Sequence, residues 1–373
     1  MSMLDIERIE GCLVGGAIGD ALGWPVEFGE LAGMLRDRPQ GIDRLVLRGS
    51  GQAQVTDDTQ MTLFTAEGLL RSPSMNSADV LPEVHAAYRR WHRTQVQDAP
   101  PPDARPGELA AEPWLYASRA PGNACMSGIA NFPQPPAPAP WGAAGPVNPQ
   151  SKGCGTVMRS APFGLLGLGP EQAFALAVDC AQLTHGHPTG YVAAGAMAAL
   201  VDRLVSGAPV HEALGGTIHY LRRQVSGGQE TVEALSRAGD VAEDVRRHSA
   251  AAGGIAAPSG ADFAEIERVG LGWIAEECLA MAVFCLLLAA DDEDADAPPP
   301  EARIRAAFVR AVTHSGDSDS VGAVFGNLIG AACGFYALPR DWAGQVEGRP
   351  ALRRVAEQLH TRRSAAPAGA EAP

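Results

Sequence analysis

The chain has 373 residues, of which 43 are acidic and 29 basic, and its formal net charge is −14. This charge argues against a broad nucleic-acid-binding surface, because phosphate backbones repel a net-acidic protein. Hydrophobic residues make up 46% of the chain and charged residues 19%. That composition excludes wholesale disorder and suits a globular protein with a sizeable core.

The cellular location of the protein can be inferred from its first residues, its apolar segments and its cysteines. Residues 1–10 are polar and acidic, unlike a signal peptide, and the most apolar run, residues 278–290, is too short to span a bilayer. The seven cysteines are odd in number, are scattered and form no C-x-x-C pair, which argues against a disulfide framework or a zinc site. We therefore expect a cytoplasmic protein with no membrane association.

Helical periodicity and Ala/Leu-rich segments dominate the chain. The predicted helices cover residues 7–22, 58–70, 80–93, 171–183, 189–205, 261–289, 301–312 and 321–335. Alternating β-branched stretches are scarce, and residues 42–47 are the best candidate for a short strand or turn. The sequence therefore predicts an all-α fold.

The domain organisation follows from the irregular stretches between these helices. Residues 99–150 are rich in proline and form a long insert, and residues 291–300 read as a solvated acidic loop. The Ala/Pro-rich end, residues 364–373, is expected to be a disordered tail. We find no interdomain linker, so residues 1–363 are expected to form one compact domain.

Two stripes of glycine recur every four residues inside predicted helices. They consist of Gly11, Gly15, Gly19 and Gly23, and of Gly322, Gly326, Gly330 and Gly334. A glycine inside a helix costs about 1 kcal/mol relative to alanine, so each stripe needs a reason. Residues four apart share one helix face, and the stripes therefore predict unusually close helix packing. The sequence leaves open whether the two stripes face each other.

Two acidic motifs stand immediately before helical runs. The first is Val-Thr-Asp-Asp-Thr at residues 55–59, and the second is His-Ser-Gly-Asp-Ser-Asp-Ser at residues 314–320. Either motif alone is typical of ordinary helix capping. If the fold brought both together, the carboxylates would repel one another unless cations neutralised them. Oxygen ligands of this kind suit Mg²⁺, Mn²⁺ or Ca²⁺, and an EF-hand is disfavoured because the residues from Val321 onwards are apolar.

Four segments, taken in order, resemble the ADP-ribosylglycohydrolase family, which includes the dinitrogenase reductase-activating glycohydrolases. They are Gly-Cys-Leu-Val-Gly-Gly-Ala-Ile-Gly-Asp-Ala-Leu-Gly-Trp-Pro-Val-Glu (11–27), Val-Thr-Asp-Asp-Thr-Gln-Met (55–61), Gly-Cys-Gly-Thr-Val-Met-Arg (153–159) and Gly-Asp-Ser-Asp-Ser-Val-Gly (316–322). They span nearly the whole chain. The resemblance implies a single all-α domain with a binuclear centre of two Mg²⁺ or Mn²⁺ ions beside an ADP-ribose cleft.

The resemblance also implies roles for individual residues. The metal ligands implied by it are Thr56, Asp57, Asp58, Asp317, Asp319 and Ser320. Ser320 stands where many members have threonine, and it keeps a hydroxyl oxygen. Glu27 occupies the place of a mobile acidic residue near the scissile bond. The residues given catalytic roles are Glu27, Asp57, Asp58 and Asp317, with Glu27 or a metal-ligating aspartate as general acid or base.

The candidate substrate-binding residues lie in three further segments of the sequence. Asn123 lies in a Pro-Gly-containing stretch that resembles a substrate-binding loop of bacterial members, and an ordinary turn is the alternative. The glycine-rich stretch holding Gly153, Gly155 and Thr156 could cradle phosphate through backbone N–H groups, although it lacks the Walker spacing. His185 is the better ligand candidate of a His-x-His pair, while His187 could cap the next helix.

These residues together predict a metal-dependent hydrolase that removes ADP-ribose from protein, with an arginine linkage as first choice. Serine-linked protein, O-acetyl-ADP-ribose and ADP-ribosylated nucleic acid are the other linkages. A second class of function is an immunity or binding protein that blocks an ADP-ribosyltransferase toxin. A generic two-metal phosphoesterase is a third class, for which the usual additional histidine ligands are not evident.

Overall fold

In this computed structural model, residues 3–251, 258–290 and 299–365 are described. Fifteen α-helices form within those ranges: α1 Met3–Gly23, α2 Leu31–Asp37, α3 Asp57–Arg71, α4 Ser77–Val96, α5 Asn123–Asn131, α6 Ala161–Gly164, α7 Pro170–Ala181, α8 Pro188–Val205, α9 Val210–Gln224, α10 Gln229–Ala251, α11 Ala275–Ala289, α12 Glu301–Val312, α13 Ser318–Cys333, α14 Arg340–Gln345 and α15 Arg349–Ala365. These ranges contain only isolated β-bridges and no strand. The predicted all-α, single-domain fold is confirmed.

Seven of the eight predicted helices are present with ends shifted by a few residues. The eighth, residues 261–289, is wrong as a single helix. A 3₁₀ helix spans Gly260–Arg268, and α11 begins only at Ala275. Gly272 adopts a φ of +83° between them, in the left-handed region that favours glycine and interrupts a helix. For residues 42–47, expected to form a short strand or a turn, the strand alternative is wrong, because only Leu47 forms a bridge, to Ala53.

Seven helices of the described ranges have no predicted counterpart, and the three longest of them, α9, α10 and α15, are more polar overall than α11. The insert at residues 99–150 is not wholly irregular either, since it contains α5 and two 3₁₀ turns, Leu109–Ala111 and Pro113–Leu115. Of the predicted tail, Ser364 and Ala365 belong to α15. The rest of the tail and residues 291–298 lie outside the described residues.

The two glycine stripes face each other, and this answers the question left open by the sequence. A Cβ atom on Gly11 would lie 2.7 Å from the carbonyl oxygen of Gly330, and one on Gly322 would lie 2.5 Å from that of Gly19. The pairing runs antiparallel, so the end of α1 meets the start of α13. Because neither helix carries side chains along this seam, the two backbones are in direct contact.

This seam brings the start of a third helix to the same end of the domain. Asp20, wholly buried on α1, accepts hydrogen bonds from the backbone N–H groups of Thr56 (2.9 Å) and Thr59 (3.1 Å) and from the Thr59 hydroxyl (2.5 Å). These bonds satisfy N–H groups at the start of α3, which lack partners within their own helix. The end of α1 and the starts of α3 and α13 thus converge. No helix of the described residues is long and apolar enough to cross a membrane.

Candidate metal and substrate site

The starts of α3 and α13 bring the two acidic motifs together. Thr56 is the N-cap of α3 and accepts from the Asp58 N–H, and Asp317 is the N-cap of α13 and accepts from the Ser320 N–H. The Ser320 hydroxyl donates to Asp58 Oδ1 at 3.2 Å, joining the two motifs directly. Capping and a shared site are therefore compatible, because the capping residues themselves line the site.

Glu27 completes the cluster from just beyond α1. One carboxylate oxygen from each of Glu27, Asp317 and Asp319 lies within 4.8 Å of the others, an arrangement that could hold a metal ion. Asp57, Asp58, Asp317 and Asp319 are each at most 5% exposed. Of the predicted ligands this group of three contains Asp317 and Asp319, and it adds Glu27, which was predicted only as a catalytic residue. Asp58 is joined to it through the Ser320 hydroxyl, and Asp57 precedes Asp58 in the chain.

The electrostatics of the cluster follow from burial and like charge. Burial, and then repulsion from neighbouring carboxylates, raise the pKa values of Asp58 and Asp319 well above the usual range. Burial together with the charges of Asp317 and Asp20 raises the pKa of Glu27 to about 7. No lysine or arginine within the described ranges forms an ion pair with Asp57, Asp58, Asp317 or Asp319.

The residues fit divalent cations of the hard, oxygen-preferring kind. Asp58 Oδ2 is buried and has no hydrogen-bond partner among the described groups, so it is free to bind an ion. Isolated buried carboxylates are costly, and a cation would remove both the repulsion and the unsatisfied oxygen. Carboxylate and hydroxyl oxygens suit Mg²⁺ or Mn²⁺. Cys154, whose thiol donates to Asp317 Oδ2 at 2.7 Å, borders the cluster.

The long insert reaches the same site through its Pro-Gly segment. The Asp57 N–H donates to the Arg119 carbonyl at 3.1 Å, and the Gly122 N–H donates to Asp57 Oδ2 at 3.3 Å. A paired ionic contact between Arg119 and Glu347 (2.9 Å) holds this segment. Asn123 follows as the first residue of α5 and is exposed, directly after the Gly122 that contacts Asp57.

The remaining candidates lie around a buried histidine. His185 is 3% exposed, and a Cβ atom on Gly153 would lie 3.3 Å from its Nε2. A Cβ atom on Gly155 would lie 3.2 Å from the same ring, so both glycines leave room for it. The Thr156 hydroxyl is wholly buried and donates to the Gly190 carbonyl at 2.8 Å. Their substrate-binding roles stay predictions.

Hydrogen bonds that run from Arg159 through the Thr184 hydroxyl hold the imidazole of His185 at its Nδ1 atom. Arg159 is 1% exposed and donates to the Thr184 hydroxyl at 2.6 Å, and that hydroxyl lies 2.7 Å from His185 Nδ1. Burial, and then the Arg159 charge, lower the pKa of His185 to about 3, so the imidazole is neutral at physiological pH. His187 caps α8 by accepting from the Thr189 N–H at 3.2 Å, which confirms the capping alternative.

One part of the site has no counterpart among the residues predicted from the sequence. Residues 270–274 cover the start of α13, where the Leu271 carbonyl accepts from the Asp317 N–H at 2.9 Å and the Trp273 carbonyl accepts from the Cys154 N–H at 3.1 Å. The segment falls inside the erroneous helix 261–289. Two closely spaced glycines, Gly270 and Gly272, were the available signal of a break.

The chain resembles a known family and several known proteins along most of its length. A family model described as ADP-ribosylglycohydrolase matches residues 1–368. The chain is 27% identical over 209 residues to ADP-ribosyl-[dinitrogen reductase] glycohydrolase of Rhodospirillum rubrum, covering 54% of this chain and 59% of that protein. It is 24% identical to ADP-ribosylhydrolase ARH3 of Bos taurus, covering 95% and 93% of the two chains.

A solved structure supports the fold. An ADP-ribosylglycohydrolase-related protein complex superposes with a TM-score of 0.60 at 23% identity, covering 96% of this chain and 99% of that one. The family match extends over almost all of the sequence and includes all four ordered motifs. The chain therefore belongs to the ADP-ribosylglycohydrolase family, and the enzyme class predicted from its motifs, a hydrolase acting on glycosyl bonds, is confirmed.

Proposed function

We propose that this protein removes ADP-ribose from ADP-ribosylated protein by metal-dependent attack of water at the anomeric carbon of the distal ribose. The observation that carries the proposal is the buried, unpartnered Asp58 Oδ2 within a group of carboxylates that lacks a basic partner among the described residues. A site of this composition is suited to binding cations, and it occurs in a chain of a glycohydrolase family.

The proposed ligands are Thr56, Asp57, Asp58, Asp317, Asp319 and Ser320, for two Mg²⁺ or Mn²⁺ ions. Such ions, when bound, orient sugar hydroxyls and lower the pKa of water. The chain's own task is to hold the carboxylates in place, and the Asp20 and Ser320 hydrogen bonds do so. Carboxylates beside the anomeric carbon also stabilise the positive charge that develops during glycosidic cleavage.

Glu27 is the proposed general acid and base, since it stands at the edge of the cluster and is more exposed than the buried aspartates. It would accept the proton of the attacking water and return it to the leaving group. Asp57, Asp58 and Asp317 act with it by orienting the reacting groups. Its position after the end of α1 leaves it outside the rigid glycine seam.

The ADP-ribose moiety is proposed to lie between the cluster and His185. Asn123 and the backbone around Gly153 and Gly155 would face ribose and diphosphate oxygens, with Thr156 holding that turn against Gly190. His185 Nε2 has no hydrogen-bond partner among the described residues, whereas its Nδ1 is engaged. A neutral imidazole so held can donate to a substrate oxygen without carrying charge.

We propose the arginine linkage first, and the Rhodospirillum relative named for dinitrogen reductase supports a protein substrate. Serine-linked protein and O-acetyl-ADP-ribose are the competing substrates. The alternative function, an immunity or binding protein that blocks an ADP-ribosyltransferase without turnover, is not favoured. A protein that only binds would not need the complete set of carboxylates that this chain retains. A cytoplasmic location is proposed on the cysteines, all seven of which are free thiols.

A panel of linkages tests the proposal. The protein is incubated with Mg²⁺ and with arginine-linked, serine-linked and O-acetyl substrates, and the products are identified by mass spectrometry. We expect repeated release of free ADP-ribose, fastest from arginine. Release fastest from serine would overturn the linkage, and AMP as the product would indicate a phosphoesterase instead.

A further inference from the structure

Exposed apolar side chains are concentrated beside the carboxylate cluster. Six large hydrophobic residues of the described chain are exposed: Phe28, Leu47, Val96, Leu271, Trp273 and Tyr336. Three of them border the site and form what we call the apolar rim, Phe28 (78% exposed), Leu271 (42%) and Trp273 (40%). Clustered exposed apolar groups mark binding surfaces more often than scattered ones do.

Each rim residue is connected to the carboxylate cluster through its backbone or its neighbour in the chain. Phe28 directly follows Glu27, whose carboxylate lies within 4.8 Å of those of Asp317 and Asp319. The Leu271 carbonyl accepts from the Asp317 N–H at 2.9 Å. The Trp273 carbonyl accepts from the N–H of Cys154, whose thiol donates to Asp317. The rim therefore lies next to the carboxylates.

Two of the rim residues form a stacked aromatic pair. The rings of Phe28 and Trp273 have centroids 5.6 Å apart and planes at 17° to each other. Both remain exposed although they lie on separate segments of the chain, so the pair presents an open aromatic face. Aromatic faces attract cations, and tryptophan does so most strongly.

The surrounding charge favours a cation on that face. The depression that Phe28 lines also contains three acids, Glu27, Glu30 and Asp37, and one base, Arg38. Leu271 is held by the carboxylate of Glu277, which accepts its N–H at 3.0 Å. Trp24 in the same depression already carries a guanidinium, that of Arg48, 5.2 Å from its ring centroid. These surroundings therefore accept a guanidinium on an aromatic face.

We propose that Phe28 and Trp273 form the subsite for the leaving group and that this group is the guanidinium of a protein arginine. The planar cation stacks on the outer face of the pair, while Leu271 contacts the protein surface around the modified residue. The inference rests on the proposed glycohydrolase function and adds the residues that select the leaving group.

The test compares Phe28→Ala and Trp273→Ala with Tyr336→Ala, an aromatic residue of similar exposure (65%) in the turn after α13. For each protein, kcat/KM is measured on an arginine-ADP-ribosylated peptide and Kd on free ADP-ribose. We expect the rim variants to lose about three- to thirty-fold in kcat/KM, as loss of cation–π contacts predicts. Their ADP-ribose Kd should be unchanged, and Trp273→Phe should retain most of the activity.

Three results would overturn the subsite: unchanged kcat/KM in both rim variants, an equal loss in Tyr336→Ala, or a parallel loss of ADP-ribose affinity. An equal loss on the uncharged O-acetyl-ADP-ribose would overturn the guanidinium assignment. If the wild type releases no ADP-ribose from any substrate, the proposed function fails instead. In that case calorimetry measures the Kd of the arginine-linked peptide for the wild type and the same variants. Weaker binding in the rim variants would still support the subsite, and equal binding would overturn it.

Discussion

The backbone of Gly19 on α1 lies directly against the carbonyl group of Gly322 on α13. A Cβ atom on Gly322 would lie 2.5 Å from the Gly19 carbonyl oxygen, well inside the contact distance. Asp20 directly follows Gly19, and Asp319 lies three residues before Gly322. The contact between the two glycines therefore fixes the positions of both carboxylates relative to each other. The close packing of two helices thereby determines the geometry of the carboxylate cluster.

Substitution in the seam should destabilise the protein strongly. In Gly326→Ala the new methyl group would collide with the backbone of Gly15, which has no flexible side chain to move. We expect a loss in the free energy of unfolding of at least about 1–3 kcal/mol, as for overpacking of a tight core. Urea denaturation measures it.

A glycine in open space provides the matched control. Gly239 lies in α10, and a Cβ atom added there would have no neighbouring atom within 4 Å. Gly239→Ala should therefore gain about 0.5–1 kcal/mol through helix propensity. If Gly326→Ala were as stable as the wild type, the seam would not be closely packed.

Asp20 is expected to act as a positioning residue for the metal ligands. Asp20→Asn replaces one of the two acceptor oxygens that hold the start of α3, and outer supports of this kind usually change metal affinity about 10- to 100-fold. We expect calorimetry to show weaker Mg²⁺ binding with an unchanged circular dichroism spectrum.

Another helix cap separates this effect from general loss of stability. Asn76 caps α4 by accepting from the Asp79 N–H at 2.9 Å, and Asn76→Ala should cost about 1 kcal/mol of stability. Its Mg²⁺ affinity should equal that of the wild type. Equal affinity in Asp20→Asn would show that the cap does not position the ligands.

The Thr184 hydroxyl joins the buried side chains of Arg159 and His185, and its removal is expected to lower the free energy of unfolding. In Thr184→Val both Arg159 and His185 lose a partner, and each unsatisfied buried group costs about 1–3 kcal/mol. Thr184→Ser keeps the hydroxyl and loses one methyl group, which costs about 0.8 kcal/mol. Denaturant melts of the two variants measure the difference, and equal stability would refute the hydrogen-bonded chain.

Asp202 should make the protein less stable as the pH rises. Burial raises its pKa to about 6 despite the opposing charge of Arg363, and its Oδ2 has no partner among the described groups. The folded state therefore holds the proton more tightly than the unfolded state, whose value is 3.8. Stability from this group is present below pH 3.8 and is lost as the pH rises through 6.

Asp202→Asn isolates this contribution because asparagine resembles the protonated acid. The free energy of unfolding of the variant, relative to the wild type, should rise between pH 4 and pH 6 and level off above that range. A difference independent of pH, or one that falls, would contradict the assignment.

Most of the carboxylates that the structure brings together could be found in the sequence because they lie in short local motifs. Thr56, Asp57 and Asp58 stand together at one helix start, and Asp317 and Asp319 at another, although either motif alone is also typical of ordinary helix capping. Their meeting depends on the α1–α13 seam, which the glycine stripes indicated without showing their partner. The resemblance to a family supplied that long-range information.

Local patterns failed where helix and turn compete. The apolar composition of residues 261–289 favoured one helix, whereas Gly272, which breaks it with a positive φ, packs against the distant residues Val321 and Asp317. The rim residues Leu271 and Trp273 were therefore hidden within a predicted helix. Helices α9, α10 and α15 were missed because their polar faces weaken the apolar signal, while tertiary packing stabilises them.

Metal dependence of ADP-ribose release tests the central claim most directly. The wild type, the double variant Asp317→Ala/Asp319→Ala and the surface control Asp341→Ala are assayed on ADP-ribosylated protein with Mg²⁺, with Mn²⁺ and with EDTA. Asp341 is an exposed acid paired with Arg305 at 2.6 Å, away from the carboxylate cluster. We predict multiple turnovers for the wild type and Asp341→Ala, abolished by EDTA, and none for the double variant. Normal release by the double variant, or by the wild type in EDTA, would contradict the account.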